Sequence, residues 1–197
     1  MKWFTESKLF DFARQGQRLS HIGLVIPLSF VFALISQLGA IPLFILMGSI
    51  YGMSATGLSM EGIPVLEAGF WMSLQLIFSF TLIYVILWAW LKFFEKRSFW
   101  TLGYEAKNAL MKYGRGFLFG MLMFGGSVGI LAMFGSVSFE IGDPTQQGLA
   151  ALGGVALVLI GWVVQGAAEE ALIRGWALSV IGARSKPWMG LLFSSLI

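Results

Sequence analysis

Residues 148–170 read GLAALGGVALVLIGWVVQGAAEE, a run without charge until it ends in Glu169 and Glu170. A helix of about 20 such residues is long enough to cross the hydrocarbon core of a bilayer. A charge at the centre of a membrane helix costs about 2.5–3.5 kcal/mol on insertion scales, so intramembrane acids usually face a protein interior or a wet cavity. Arg174 follows four residues after Glu170. The stretch therefore predicts a transmembrane helix with a candidate site at its end.

The composition of the whole chain places it in the same class. Hydrophobic residues make up 57% of the 197 residues, charged residues 12%, and the mean hydropathy is +0.81. These values are typical of an integral membrane protein. The sequence has no cysteine, which excludes disulfides, thiolate catalysis and cysteine-ligated metal, and its one histidine excludes a site that needs two imidazoles.

Hydropathy divides the chain into apolar segments, most of which reach the ~20 residues that a helix needs to span a membrane. We therefore predict an all-α fold, a polytopic transmembrane helical bundle with four complete spans and the start of a fifth. The predicted spans are residues 22–50, 68–91, 116–134 and 148–168, and the fifth begins at Trp188.

Two further segments are amphipathic. Ahead of the first span, aromatic residues alternate with basic ones, which is typical of an interfacial helix, although a frayed basic tail fits equally well. Residues 97–115 are too polar to cross the membrane and predict an interfacial elbow helix whose basic face binds anionic lipid head groups. We divide the chain here, into an N-terminal arm with two transmembrane helices (1–96) and a second part (97–197).

The distribution of charge predicts the orientation. All 13 lysines and arginines fall before the first span, after the second or after the fourth. The other two loops have only acids as charged residues, namely Glu61, Glu67, Glu140 and Asp143. Because cytoplasmic loops are enriched in Lys and Arg, the N-terminus is predicted to be cytoplasmic. The first apolar run is longer than the ~7–15 residues of a signal peptide, so we expect a retained anchor.

The spacing of the charged residues assigns them different roles. Glu170 and Arg174 are four apart on a helix, the favourable order for an ion pair on one face. Glu169 points about 100° away and shares its face with Gln165, so we expect it to have no local partner. An apolar cavity disfavours the charged form of a carboxylate, which suits a general base. A buried Glu–Arg pair alone is more often architectural, but the extra carboxylate of Glu169 favours chemistry.

The stretch AEEALIRGW (168–176), with RSKPW (184–188) and LLFSSLI (191–197), resembles the CPBP family, the CAAX-protease and bacteriocin-processing (Abi) intramembrane endopeptidases. The resemblance covers residues 97–197, which would form a partial protease core of this type. It implies metal-independent, cofactor-free cleavage of a membrane-associated or prenylated peptide, in a bacterial plasma membrane. By this resemblance Glu169 activates water, and Glu170 with Arg174 supports the site.

The sequence departs from this family at its histidine motifs, Phe-x-x-x-His and then His-x-x-x-Asn or Asp. In the register set by Ser194 and Ser195, the first motif histidine is expected a few residues after Ile197; in another register Phe193 matches the motif and Ile197 replaces the histidine. The adjacent serines favour the first register. A general base without oxyanion donors lacks what is usually the largest contribution to acyl-transfer catalysis. We therefore expect this polypeptide alone to be inactive.

Two other classes of function stay open. A non-catalytic relative would bind a peptide in the same cavity, for example as a bacteriocin-immunity protein. A small transporter would use Glu169 to couple protons, because intramembrane acids often relay them, although the sequence shows no internal repeat. In every case the expected partners are membrane lipid and a peptide or solute. Nucleic acid is not expected, because the sequence has neither a Gly-rich phosphate loop nor a basic recognition helix.

Overall fold

A computed structural model of the chain describes residues 8–51, 63–104, 108–137 and 148–195. Within these ranges every regular element is helical and no strand occurs, which confirms the predicted all-α class. The α-helices are α1 (Lys8–Arg14), α2 (Ile22–Gln37), α3 (Ile41–Tyr51), α4 (Val65–Ala89), α5 (Ala109–Met133), α6 (Gly148–Glu170), α7 (Ser179–Arg184) and α8 (Pro187–Ser194).

The described residues contain four helical stretches long and apolar enough to cross a membrane, as predicted. They are Ile22–Tyr51, Val65–Glu95, Ala109–Met133 and Gly148–Arg184. The first contains a 3₁₀ turn, Leu38–Ala40, immediately before Pro42. Because proline lacks a backbone N–H, it cannot continue the α-helical hydrogen bonding of the preceding turn. The α-helix of the first span is therefore interrupted between α2 and α3.

Two of the spans contain a π-helical segment. The first π segment, Trp90–Glu95, continues α4, and the second π segment, Ala171–Leu178, continues α6 into α7. Each π turn contains one more residue than an α turn, and such turns occur frequently at functional sites. Lys96 closes the first segment in a left-handed conformation, with φ 54°, which is uncommon for a residue with a side chain.

Glycines allow α4 and α6 to approach closely. A Cβ on Gly69 would lie 2.6 Å from the carbonyl oxygen of Gly154, and a Cβ on Gly161 would lie 3.0 Å from Leu76. Small residues are the usual means of bringing membrane helices together. Because Gly69 pairs with Gly154 and Leu76 with Gly161, the two helices run in the same direction.

The N-terminal arm forms a helix that packs on the segment after the motif. Phe10 and Ala13 of α1 are buried, whereas Asp11 and Arg14 are exposed. A Cβ on Gly182 of α7 would lie only 2.1 Å from the ring of Phe10, so this aromatic side chain rests on the bare backbone of α7. The predicted amphipathic helix is thus confirmed over residues 8–14. Residues 1–7 of the arm lie outside the described ranges.

The structure differs from the predicted elbow helix (residues 97–115) over residues 109–115. Phe99–Leu102 forms a 3₁₀ turn, while α5 begins at Ala109, so residues 109–115 are the start of the third span. Residues 105–107 lie outside the described ranges. By compactness the chain forms two units, Met1–Gly103 with Thr145–Ile197, and Tyr104–Pro144, which contains α5. The sequence-based division at residue 97 stays a prediction.

Candidate functional site

Glu169 lies in the last turn of α6 and has a hydrogen-bond partner. The side-chain amide of Gln165, one turn earlier, donates from Nε2 to Oε1 of Glu169 at 3.0 Å. The expectation that Glu169 has no local partner is therefore wrong. The shared helical face had indicated this neighbour, and the i, i+4 spacing lets the two side chains meet. The partner is neutral, so the negative charge of Glu169 is oriented without being cancelled.

Glu170 forms the predicted ion pair. Nη1 of Arg174 donates to Oε1 of Glu170 at 2.9 Å. The predicted burial is not found: the side chain of Arg174 is 70% exposed and that of Glu170 is 57% exposed in the structure. Glu169 is also exposed. An exposed i, i+4 ion pair contributes little to the stability of a protein. Stabilisation of the fold is therefore a weak explanation for the presence of this pair.

The backbone after Glu170 is not the uninterrupted α-helix that we assumed. The helix does continue past Trp176, but as the second π segment. A π turn adds one residue, and each residue advances an α-helix by about 100°, so side chains beyond the turn are rotated by about that angle from their α-helical positions. The direction of the Trp176 side chain around the helix axis therefore could not be predicted from α-helical spacing.

His21, the one histidine of the chain, has a structural role. It is the N-cap of α2, and its Nδ1 accepts a hydrogen bond from the backbone N–H of Gly23 at 3.2 Å. Such a bond satisfies one of the free N–H groups at the start of a helix.

A buried polar cluster near the motif was missed by the sequence analysis. The carboxylate of Glu95, which is fully buried, accepts three hydrogen bonds. Arg97 Nε donates to Oε2 at 2.6 Å, while Ser20 Oγ and Trp176 Nε1 donate to Oε1 at 2.7 and 3.0 Å. Neither the Glu95 nor the Arg97 side chain is exposed. We call these four residues the Glu95 cluster.

The Glu95 cluster joins three distant parts of the sequence. Ser20 precedes the first span, Glu95 and Arg97 end the second, and Trp176 lies in the second π segment. Around it, Arg97 Nη1 also donates to Thr101 Oγ1 at 3.2 Å, and the indole N–H of Trp90 donates to Ser20 at 3.1 Å. Glu95 stands in a basic stretch of the sequence, which gave no reason to single it out; its pairing depends on tertiary structure.

Hydrogen bonds join sequence-distant segments near the ends of the spans. At one end, the backbone N–H of Arg18 donates to the Glu95 carbonyl at 3.5 Å, and the guanidinium of Arg184 donates to the Leu19 carbonyl. Elsewhere the hydroxyl of Tyr51, at the end of the first span, donates to Glu67, at the start of the second. The acids Glu61, Glu140 and Asp143 lie outside the described ranges. That the basic end faces the cytoplasm stays a prediction.

Among the described residues, no group of three or more His, Cys, Asp or Glu side chains lies close enough together to hold a metal ion. Glu169 and Glu170 supply two carboxylates without a nearby imidazole, which is a poor ligand set for zinc. Comparisons with protein-family models, with curated proteins and with solved structures found no match for this chain.

Proposed function

We propose that the chain is an intramembrane endopeptidase of the CAAX-protease type, in which Glu169 activates water for attack on a membrane-associated or prenylated peptide. The observation that supports this most directly is the different pairing of two adjacent carboxylates. Glu170 is neutralised by Arg174 at 2.9 Å, whereas Glu169 accepts only a neutral amide donor, Gln165, at 3.0 Å. One carboxylate thus retains the proton-accepting capacity that a general base needs.

The exposure of both carboxylates supports access of a substrate. Glu169 and Glu170 lie at the end of α6 with their side chains open, so a water molecule and a peptide carbonyl can reach them. The exposed pair also removes the main architectural explanation, since it stabilises the fold by at most about 1 kcal/mol. The acyl-transfer step additionally requires donors for the oxyanion. Glu169 supplies the base in this proposal, and Arg174 pairs with the neighbouring Glu170.

The alternative is a non-catalytic peptide-binding or bacteriocin-immunity protein that uses the same turn. Arg174 and the two carboxylates offer both signs of charge on an exposed surface, which suits recognition of a polar peptide segment without any reaction. This reading needs neither a general base nor an oxyanion donor. It differs from the endopeptidase in one measurable property, the turnover of bound peptide.

The test measures binding and cleavage together, in proteoliposomes, with a membrane-anchored peptide that carries or lacks a farnesyl group. Cleavage that is lost in Glu169→Gln and retained in Asp11→Asn, an exposed carboxylate elsewhere, would support the endopeptidase and would contradict our expectation that this polypeptide alone is inactive. Binding without cleavage in any variant supports the peptide-binding alternative. A chain that neither binds nor cleaves either peptide contradicts both.

A further inference from the structure

The Glu95 cluster contains a buried charge that the proposed chemistry does not use. Glu95 lies at the end of the first π segment, and its carboxylate is fully enclosed. Removing a carboxylate from water is costly, and a buried ion pair is often no more stable than apolar residues of the same size. The best-attested reason for retaining such a pair is that it specifies one arrangement of the elements around it.

The hydrogen bonds of Glu95 identify the element that it arranges. Oε2 accepts a hydrogen bond from Arg97, a neighbour in sequence. Oε1 accepts one from the indole N–H of Trp176, which lies in the second π segment, 81 residues away. Trp176 is fully buried and lies two residues after Arg174. A rotation of this segment about its axis would therefore move Arg174 and break the bond to Glu95 together.

Packing restrains this segment as well. The Trp176 ring lies 5.4 Å from that of Phe32 at a tilted angle and 6.4 Å from that of Trp90 edge to face, measured between centroids. Packing is non-directional in large part, whereas a hydrogen bond to a charged group requires one orientation of its donor. The indole N–H has a single direction, and it is directed at a carboxylate oxygen.

The two π segments therefore meet at the hydrogen bond between Trp176 and Glu95 and at the ring contact between Trp176 and Trp90. An additional residue in the turn after Glu170 rotates the following side chains by about 100° relative to an uninterrupted α-helix. That rotation brings the indole N–H of Trp176 to Glu95 while Arg174 reaches back to Glu170. Reversion of the π segment to α-helix would turn Trp176 away from Glu95, whereas Glu170 and Arg174 would remain neighbours through their i, i+4 spacing.

We propose that Glu95 is a positioning residue for the candidate site: through Trp176 it holds the second π segment, which carries Arg174, in one rotation relative to the rest of the bundle. Its importance for catalysis rests on the proposed function, but its effect on the geometry does not. Glu95 is not expected to contact a substrate, because it is enclosed by Ser20, Arg97 and Trp176.

The test uses distances between spin labels, which the absence of native cysteines makes straightforward. One label at Leu34, which is 70% exposed on α2, is paired with a label at Ile173 in the π segment or at Gly166 upstream of the motif. A Cβ at Gly166 meets no heavy atom within 4 Å among the described residues. Both pairs are measured by pulsed electron paramagnetic resonance in nanodiscs.

We expect Trp176→Phe, which keeps the aromatic ring and the Glu95–Arg97 pair, to shift or broaden the 34–173 distance distribution and to leave the 34–166 distribution unchanged. Glu95→Gln should do the same, because one of the two accepting oxygens becomes an NH₂ group, which only donates, so the separate oxygens that accept from Arg97 and from Trp176 are no longer both present. Trp90→Phe is the matched control: it removes the indole donor to Ser20 in the same cluster and should leave both distributions unchanged.

An unchanged 34–173 distribution in Trp176→Phe would overturn the proposal, even if Glu95→Gln fails to fold. Equal changes in both label pairs, or the same change in Trp90→Phe, would also overturn it, since they would indicate general loosening of the core. The distances are measured without any substrate. A chain without peptidase activity can thus still show the positioning effect, and failure of the proposed function is distinguished from failure of this inference.

Discussion

The indole N–H of Trp176 donates a hydrogen bond of 3.0 Å to the carboxylate of Glu95, 81 residues earlier in the chain. Both residues are fully buried, and each lies in a π-helical segment of a candidate membrane span. Hydrogen bonds to a charged acceptor are shorter and stronger than neutral ones, especially away from water. This bond ties the segment that carries Arg174 to the end of the second span.

Trp176→Phe should destabilise the protein by about 1.5–3 kcal/mol, the usual contribution of a hydrogen bond to a charged group. The phenylalanine ring preserves most of the packing, so the effect reports chiefly the lost donor. SDS-induced unfolding in mixed micelles, followed by circular dichroism, measures it. Trp162→Phe is the control, because that side chain is 54% exposed. Equal effects of the two substitutions would contradict the importance of the bond.

Arg97→Met should destabilise the protein by about 3–5 kcal/mol, because it leaves the Glu95 carboxylate buried without its cation. The double variant Glu95→Gln/Arg97→Met removes both charges and should recover most of this loss. Arg14→Ala breaks an exposed pair with Asp11 and should cost no more than about 1 kcal/mol. The same unfolding assay compares all three variants. A double variant less stable than Arg97→Met alone would contradict the claim that the Glu95 carboxylate is costly to bury without Arg97.

The all-α class and the four spans could be predicted from the sequence, because hydropathy and length are local properties. The Glu170–Arg174 pair could be predicted for the same reason, since its i, i+4 spacing lies on one helix. The Gln165–Glu169 bond follows the same spacing, and the sequence analysis recognised the shared face without inferring the bond.

The Glu95 cluster could not be predicted, because Ser20, Glu95 and Trp176 meet only after three spans have packed. The π segments were missed for a related reason. Residues 171–178 read ALIRGWAL, which contains no proline, and its one glycine, Gly175, does not distinguish a π turn from an α turn. The additional residue is accommodated by tertiary contacts on both sides, where Gly175 packs on Leu102 and Trp176 on Phe32.

Gly154→Ala should destabilise the bundle by about 1–3 kcal/mol, the usual cost of inserting a methyl group into a packed interface. Its Cβ would lie 2.7 Å from the backbone oxygen of Val65, which cannot move without displacing α4. Gly166→Ala on the same helix has open space in the described structure and should be neutral or stabilising by up to about 1 kcal/mol. Unfolding curves that rank the two variants in the opposite order would contradict the α4–α6 contact.

Phe10→Ala should release α1 from α7. The Phe10 ring is 94% buried, with 6% of its surface exposed, and it covers Gly182, so its removal leaves a cavity that costs about 3–5 kcal/mol. Hydrogen exchange measured by mass spectrometry should show faster exchange in residues 8–20, while α4 keeps its protection. Phe12→Ala is the control, since Phe12 is 36% exposed. Unchanged exchange in Phe10→Ala would show that α1 is held by other contacts.

Arg174→Ala separates an architectural role of the motif from a chemical one. The Arg174 and Glu170 side chains are 70% and 57% exposed, so loss of their pair should change the free energy of unfolding by no more than about 1 kcal/mol. If the pair serves the proposed site, peptide binding or cleavage should nevertheless fall strongly, and Arg174→Lys should restore only part of it because lysine lacks the planar fork of arginine. Unfolding and peptide assays on the same preparations compare the two effects. A loss of several kcal/mol in stability would instead assign the pair to the architecture of the bundle.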